Sequence, residues 1–490
     1  MKKYQKVYRE MYEQWHRENQ TYREQVAADE NRLAYHLMPE TGWLNDPNGL
    51  CQVNGVYHIY YQYTPFEPTG ELKLWGHCTT RDFVHYQQCE PAVYPDQDFD
   101  AHGVYSGSAF VENGMIHYFY TGNVKYFDRD DYDYILTGRG SNTIHMTSRD
   151  GFHFSEKELL LTNWDYPADM SGHVRDPKVI RRADGYYMVL GARDIAGKGL
   201  VLVYRSEDLT SWQYHGRITT REAFGYMWEC PDLFVLDGRL CLICCPQGVP
   251  QRGVDFANVH QCTAVMLDYD FAPGEYILED MAKVRMVDRG FDFYAPQTFE
   301  DESGRRILIG WMGIPDPDYT NPTVEAGWQH ALTLPRELHI ADGRLVQTPL
   351  KELQALRRNR RVLEAESLNQ AGERGLVYEL EAEFDHCRSM TMTLRNGVAL
   401  EWKEGLLTLD LGICGSGRTS RSVELDRLDH LQIFSDTSSL EVFVNGGREV
   451  FTTRVYGREG GIRLEGCGAR VTLYDREGFC WCGCEEAGRR

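Results

Sequence analysis

Five times between residues 45 and 313 the chain sets a Gly-containing turn pair ahead of a short, nearly all-apolar run, and this repeat limits its fold more than any other feature. The pairs and runs are Asn54-Gly55 before VYHIYYQY, Asn113-Gly114 before MIHYFYTG, Asp184-Gly185 before YYMVLGAR, Asp237-Gly238 before RLCLICC, and Ser303-Gly304 before RRILIGWMG. Asn-Gly and Asp-Gly favour tight hairpins because both central residues of that turn need positive φ. The runs are too short for buried helices and read as buried strands. Glycine-to-glycine spacings of 59, 71, 53 and 66 residues leave room for about four strands per unit, the content of a propeller blade. A second echo follows the first three glycines: Asp82 with Tyr86, Asp150 with Phe154, and Asp208 with Trp212 sit in S/T-x-D-x-x-x-aromatic-like turns. Nothing alternates strand with helix as a βα barrel would. The expectation is an all-β fold whose catalytic part is a five-bladed β-propeller.

From about residue 360 the pattern changes to short alternating strands: LVYELEAEF, MTMTLRNGVALEW, LLTLDLGI, LQIFSDTSSLEVFVNGG and RVTLYD. These predict a C-terminal β-sandwich. TPLKELQALRRNRR, between the two, reads as a short helical, basic connector. Ahead of the propeller, Tyr4, Val7, Tyr8, Met11, Tyr12 and Trp15 share one helical face, predicting a short N-terminal amphipathic helix docked on its own protein. The expected boundaries are 1–30 for that helix, 31–340 for the propeller, 341–359 for a linker and 360–490 for the sandwich. For the sandwich two roles stand open, covering propeller surface or mediating a homodimer.

With 52 basic and 73 acidic residues the net charge is -21, a field that repels phosphate backbones and argues against nucleic acid or an anionic membrane as partner. The opening MKKYQKVYREMYEQWHREN has no apolar core of a secretory signal, which leaves the cytoplasm as the expected compartment. Most cysteines are scattered singly, consistent with reduced thiols. Cys480, Cys482 and Cys484 fall one ligand short of a structural zinc site, and their spacing is too tight for one. No metal and no cofactor is expected.

The chemistry lies about nine residues before each turn glycine. Asp46, Ser106, Asp176, Glu229 and Tyr294 precede their glycines by 9, 8, 9, 9 and 10 residues. Equivalent positions on five blades meet at one end of the central axis, so three carboxylates distant in sequence converge in one funnel. Converging acids among aromatics suit glycoside hydrolysis, where one carboxylate attacks or activates water and another protonates the leaving oxygen.

WLNDPNG (43–49), YSGS (105–108), RDPKV (175–179), WECPD (228–232), FDFYAPQ (291–297) and GWMG (310–313) resemble glycoside hydrolase family 32, the invertases, sucrose-6-phosphate hydrolases and fructanases. GWQHALTLPREL (327–338) and SSLEVFVNGG (438–447) match as well, so the resemblance spans about residues 35 to 475. It implies a five-bladed propeller followed by a β-sandwich. It also implies roles. Asp46 resembles the nucleophile that attacks C2 of a fructofuranosyl unit, Glu229 the acid/base, and Asp176 the transition-state stabiliser. Asn45, Gln62, Trp75, Tyr105, Ser106, Arg175, Tyr294 and Trp311 occupy positions of substrate contacts, though Gln62 and Trp75 also read as core and Arg175 as a partner of Asp176. In this scheme Asp46 is charged and Glu229 is protonated at rest, its pKa raised toward ~6 by burial and nearby negative charge. A retaining double displacement needs the two carboxyls about 5 Å apart.

One position departs from the family. Where members usually carry a Trp five residues before WGH, this chain has Gly70, and Thr64 replaces a usual Asn. The resemblance therefore implies a retaining β-fructofuranosidase with an altered pocket rim, acting on sucrose or sucrose 6-phosphate. The alternatives are an exo-acting fructanase on short fructo-oligosaccharides and an inactive sugar-binding propeller.

Overall fold

A computed structural model describes residues 6–457 and 460–482. Five four-stranded antiparallel units follow one another along the chain. Their innermost strands are Gly42–Val53, Val104–Glu112, Met170–Arg182, Met227–Leu236 and Tyr294–Glu300. Each inner strand turns back into the apolar run that follows it. The hairpins close as Val53 opposite Val56, Glu112 opposite Met115 and Leu236 opposite Arg239, with positive φ at Asn54, Asn113 and Asp237 and at the glycine after each. The third hairpin differs from the sequence reading. Arg182 faces Gly185, so Ala183 and Asp184 make the loop and Gly185 already belongs to the strand.

The Asp-containing turns form one motif three times. Thr80, Ser148 and Ser206 accept the backbone N–H of Phe83, Gly151 and Leu209, all at positive φ. Asp82, Asp150 and Asp208 each accept two further N–H groups of the same turn.

The ring closes on its first blade twice. Gly42–Val53 pairs in parallel with Trp328–Gln329, and the outermost strand, His85–Val93, pairs in parallel with Cys480–Cys482. Cys480 and Cys482 are thus strand residues, while Cys484 lies outside the described residues. The N-terminal segment forms two helices, Arg9–Glu18 and Gln20–Ala27, broken at Asn19 rather than continuous. Val7 and Tyr12 are buried against the first blade, and Trp328 donates its indole N–H to Asp29, whereas Tyr8 and Met11 of the same sequence stripe stay exposed. Tyr4 falls outside the described residues.

The connector differs most from expectation. Arg344–Pro349 is the outer strand of the fifth blade, a 3₁₀ turn Lys351–Leu356 follows, and Arg357–Glu364 is already a sandwich strand. The basic run is extended because its arginines find carboxylates across that sheet: Arg357 on Glu379 and Glu381, Arg361 on Asp475. The sandwich packs a six-stranded sheet against a five-stranded one around a core containing Leu380, Met392, Leu400 and Val442.

The propeller–sandwich boundary is ionic and dry. Arg336 bonds Asp288 and Glu441, and His36 lies between Asp436 (2.7 Å) and Glu441 (3.0 Å), every one of these side chains inaccessible to solvent. Arg418 grips Asp292 with two 2.7 Å bonds. Backbones meet closely there too, since a Cβ on Gly290 would lie 1.9 Å from the Thr452 carbonyl oxygen.

Candidate active site

Each inner strand carries an irregularity in register where its candidate residue stands: between Leu44 and Pro47, Val104 and Gly107, Glu229 and Asp232, and Tyr294 and Gln297, and opposite Val189–Gly191 for the strand of Asp176. Such bulges re-aim a side chain and tolerate a proline without a ladder N–H. Pro47, Pro177, Pro231 and Pro296 lie at these irregularities. Asp176 itself stands at φ +65 and Cys230 at +46, local strain of the kind found at functional sites. The bulges turn Asp46, Asp176 and Glu229 toward one another.

Asp46 accepts from Asn45 Nδ2 at 3.0 Å and from the Ser106 hydroxyl through a very short bond. Gln62 links these two partners, accepting from Asn45 Nδ2 (2.5 Å) and donating to Ser106 Oγ (2.7 Å). Asp176 is held by the Cys230 N–H (2.9 Å), and its own N–H donates to Thr121 Oγ1. The Cys230 thiol lies 3.6 Å from an oxygen of Asp46 and 3.6 Å from one of Asp176, so a single sulfur is bracketed by both acids. Glu229 takes Arg175 on one oxygen (Nη2 at 2.5 Å) and Tyr294 Oη (2.7 Å) and Gln247 Nε2 (2.9 Å) on the other.

These contacts set the charges. Burial pushes Asp46 up, against the pull of its Ser106 and Asn45 bonds. Burial also raises Asp176 to about 7, with Glu229 adding to the rise and Arg175 opposing it. For Glu229 the outcome is opposite to the sequence expectation. Burial would raise it, but the Arg175 guanidinium and the Tyr294 hydroxyl hold its carboxyl below the ordinary value. With these contacts, Asp176 holds a proton more readily than Glu229. Arg175 bonds Glu229 directly and also lies within ion-pair reach of Asp176, at 4.0 Å.

The remaining sequence candidates separate into rim and support. Tyr105 is half-buried beside Ser106. Trp311 is buried, donating its indole N–H to His330 Nδ1, and both pack on Trp43. Trp75 is fully buried in the core between the first two blades, with its N–H on the Tyr105 carbonyl. It holds the pocket wall from behind, because a flat apolar ring on that strand packs inward.

Gln247, Cys230, Trp43, His330 and Lys73 are site residues that the sequence reading did not single out. Two signals were present: Cys230 sits inside WECPD, and Gln247 ends the strand returning from Asp237-Gly238, near Glu229 once the hairpin is folded.

Gly70 adopts φ +80, and a Cβ there would come within 2.6 Å of both the Trp43 ring and Lys73 Nζ. Lys73 donates to the Gly70 carbonyl (2.5 Å) and lies 4.8 Å from the Trp43 ring centroid, a cation–π contact. Burial lowers its pKa to about 7, partly offset by the negative charge of Asp46. No side chain fits at residue 70 while Lys73 and Trp43 hold these positions.

The fold and this carboxylate triad define a glycoside hydrolase, and the chain belongs to glycosyl hydrolases family 32: the family's N-terminal domain matches residues 36–349 and its C-terminal domain residues 352–475. Among curated relatives it is similar to the sucrose-6-phosphate hydrolases of Bacillus subtilis (37% identical, covering 88% of this chain and 90% of the relative) and Staphylococcus xylosus (38%, 88% and 89%). Among solved structures it resembles the sucrose-6-phosphate hydrolase of Lactobacillus gasseri, at TM-score 0.84 and 28% identity over 96% of this chain and 100% of that one. A Bombyx mori beta-fructofuranosidase, solved as a mutant with sucrose, matches at TM-score 0.79 and 27% identity over 96% and 99%. The substrate is a small carbohydrate, and no helix among the described residues is long and apolar enough to cross a membrane.

Proposed function

We propose that the chain is a retaining β-fructofuranosidase whose preferred substrate is sucrose 6-phosphate. One observation carries the chemistry: Asp46, Asp176 and Glu229 stand on bulges of three inner strands, with one sulfur between the first two and Arg175 and Tyr294 clamping the third. The names of the curated relatives support the phosphorylated substrate. An uptake step that phosphorylates its cargo would supply such a disaccharide inside the cell, which supports the cytoplasm as the compartment.

Asp46, as its carboxylate, attacks C2 of the fructosyl unit. The bond from C2 to the bridging oxygen breaks, its electron pair goes to that oxygen, and Glu229 supplies the proton. Water then attacks C2 of the fructosyl-enzyme, Glu229 takes the water's proton and Asp46 leaves. Asp176 accepts hydroxyl hydrogens of the ring as positive charge develops.

Before substrate arrives the site's proton favours Asp176. Sugar hydroxyls donating to Asp176 stabilise its charged form and so favour the proton's transfer to Glu229. The test is kcat/KM for fructose release from sucrose 6-phosphate and sucrose side by side, with kestose as the third substrate. A preference of tenfold or more for the phosphorylated sugar, about 1.4 kcal/mol, is expected, and equal rates would return the enzyme to general β-fructosidase activity. Glu229→Gln is expected to lower kcat by about 10²–10⁴. Retention within tenfold would remove Glu229 from the acid/base role.

A further inference from the structure

On the rim between the first and second blades a group of cationic and donor side chains is left over by the chemistry. His102 is nine-tenths buried, and its Nδ1 accepts the backbone N–H of Lys125 at 3.1 Å. The neutral ring therefore carries its hydrogen on Nε2, and that buried atom has no hydrogen-bond partner among the described residues. Asn123 ties His102 to Arg139, donating Nδ2–H to the His102 carbonyl and accepting Arg139 Nε–H. Arg139 lies over the Tyr105 ring (5.1 Å) and bonds Tyr134, yet its Nη2 is also buried and has no partner among the described residues. Two buried donors joined through one asparagine thus lack an acceptor, and an unmade bond of this kind is costly unless a ligand completes it.

Two lysines lie near them, with the acids Asp46, Glu67 and Glu71 close to Lys73. Lys125 follows directly along the strand, and Lys73 reaches the same place from the first blade, its carbonyl accepting the Val104 N–H two residues after His102. The hydrogen bond of the Lys73 ammonium goes to a carbonyl, not a carboxylate. In the neighbouring loop, Asp131 is paired with Arg129, and Asp133 is occupied by the N–H groups of Ile135 and Leu136. The missing side chain at Gly70 leaves Lys73 its position there.

We infer that Lys73, His102, Lys125 and Arg139 form an anion subsite that receives the phosphate ester of the leaving sugar, beside the fructosyl pocket marked by Tyr105 and Ser106. The Arg139 guanidinium and the Lys125 side chain supply charge, and the His102 Nε2–H and Arg139 Nη2–H supply direction, the combination that phosphate oxygens accept best. The inference rests on the proposed preference for sucrose 6-phosphate and locates it.

The experiment compares the full chain with Lys125→Ala, Lys125→Arg and His102→Gln, reading the ratio of kcat/KM for sucrose 6-phosphate over sucrose. Sucrose turnover in each variant serves as the internal check on folding. The ratio is expected to fall roughly tenfold in Lys125→Ala and His102→Gln and to be largely kept in Lys125→Arg. Product inhibition adds a second reading: glucose 6-phosphate is expected to inhibit better than glucose, fructose 6-phosphate or inorganic phosphate, and to lose that advantage in Lys125→Ala. A wild-type preference that the variants leave intact would overturn the subsite while the substrate reading stands. Stronger inhibition by fructose 6-phosphate would overturn its assignment to the leaving sugar. A wild type without preference would overturn the substrate reading and the subsite together.

Discussion

Asp176 shows how one residue is set against the stability of its own fold. Its carboxyl is buried, strained at φ +65, and raised to about 7. The unfolded chain releases that proton near the ordinary aspartate value, so the folded state gains from Asp176 below about pH 4. That gain is lost as pH rises through about 7. An asparagine can still accept the Cys230 N–H without the charge. Asp176→Asn is therefore expected to melt above the wild type at pH 8, with an advantage that shrinks as pH is lowered toward 4. The same substitution is expected to cost about 10²–10³ in kcat through lost transition-state stabilisation. Thermal unfolding at several pH values checks the first half, and an advantage independent of pH would remove the carboxyl as its cause. The three acids were legible in the sequence because matched offsets from five turn glycines are a one-dimensional signal. Their ionisation was not legible, since it depends on which acid Arg175 reaches, and in space it passes its sequence neighbour Asp176 to bond Glu229.

Among the elements, the repeats that the sequence displays are those whose contacts are local. Each Asp-containing outer turn satisfies its own backbone from a side chain two or three residues away, so Asp82, Asp150 and Asp208 could be read directly. Asp208→Ala strips two N–H groups of their acceptor and is expected to lower stability by about 1 kcal/mol while kcat holds, because the turn lies at the far edge of its blade. Denaturant unfolding of that variant beside the wild type measures it, and a change in kcat of tenfold would mean that blade edges communicate with the funnel. Misreadings arose where an element is defined by distant partners. RRNRR resembles a basic helix end in isolation and becomes a strand because Glu379, Glu381 and Asp475 lie across the sheet. Trp75, which read as either pocket or core, is core because the second blade covers it.

At the scale of the whole molecule, two of the family-like segments explain each other. Arg336 from GWQHALTLPREL meets Glu441 from SSLEVFVNGG, with His36 completing the contact. Removing one member of such a buried set leaves an uncompensated charge and costs about 3–5 kcal/mol. His36 has its pKa raised: burial lowers it, but bonds to Asp436 and Glu441 more than compensate. Its stabilisation is therefore complete below about pH 6.5 and is lost as pH rises through the folded-state value. His36→Gln is expected to destabilise most near pH 6 and markedly less at pH 9, which melting curves across that range check directly. A penalty that grows with pH would show that the ring is neutral in the fold.

The parallel strand Cys480–Cys482 also bears on how the protein is made. The first blade waits for residue 328 to cover one edge and for residue 480 to cover the other. While the ribosome works toward the carboxyl end, the earliest blade to emerge has open hydrogen-bonding borders that another nascent chain could occupy. Synthesis, more than catalysis, is the stage at which this molecule is exposed to aggregation, and a strand that follows the whole sandwich in sequence completes its closure.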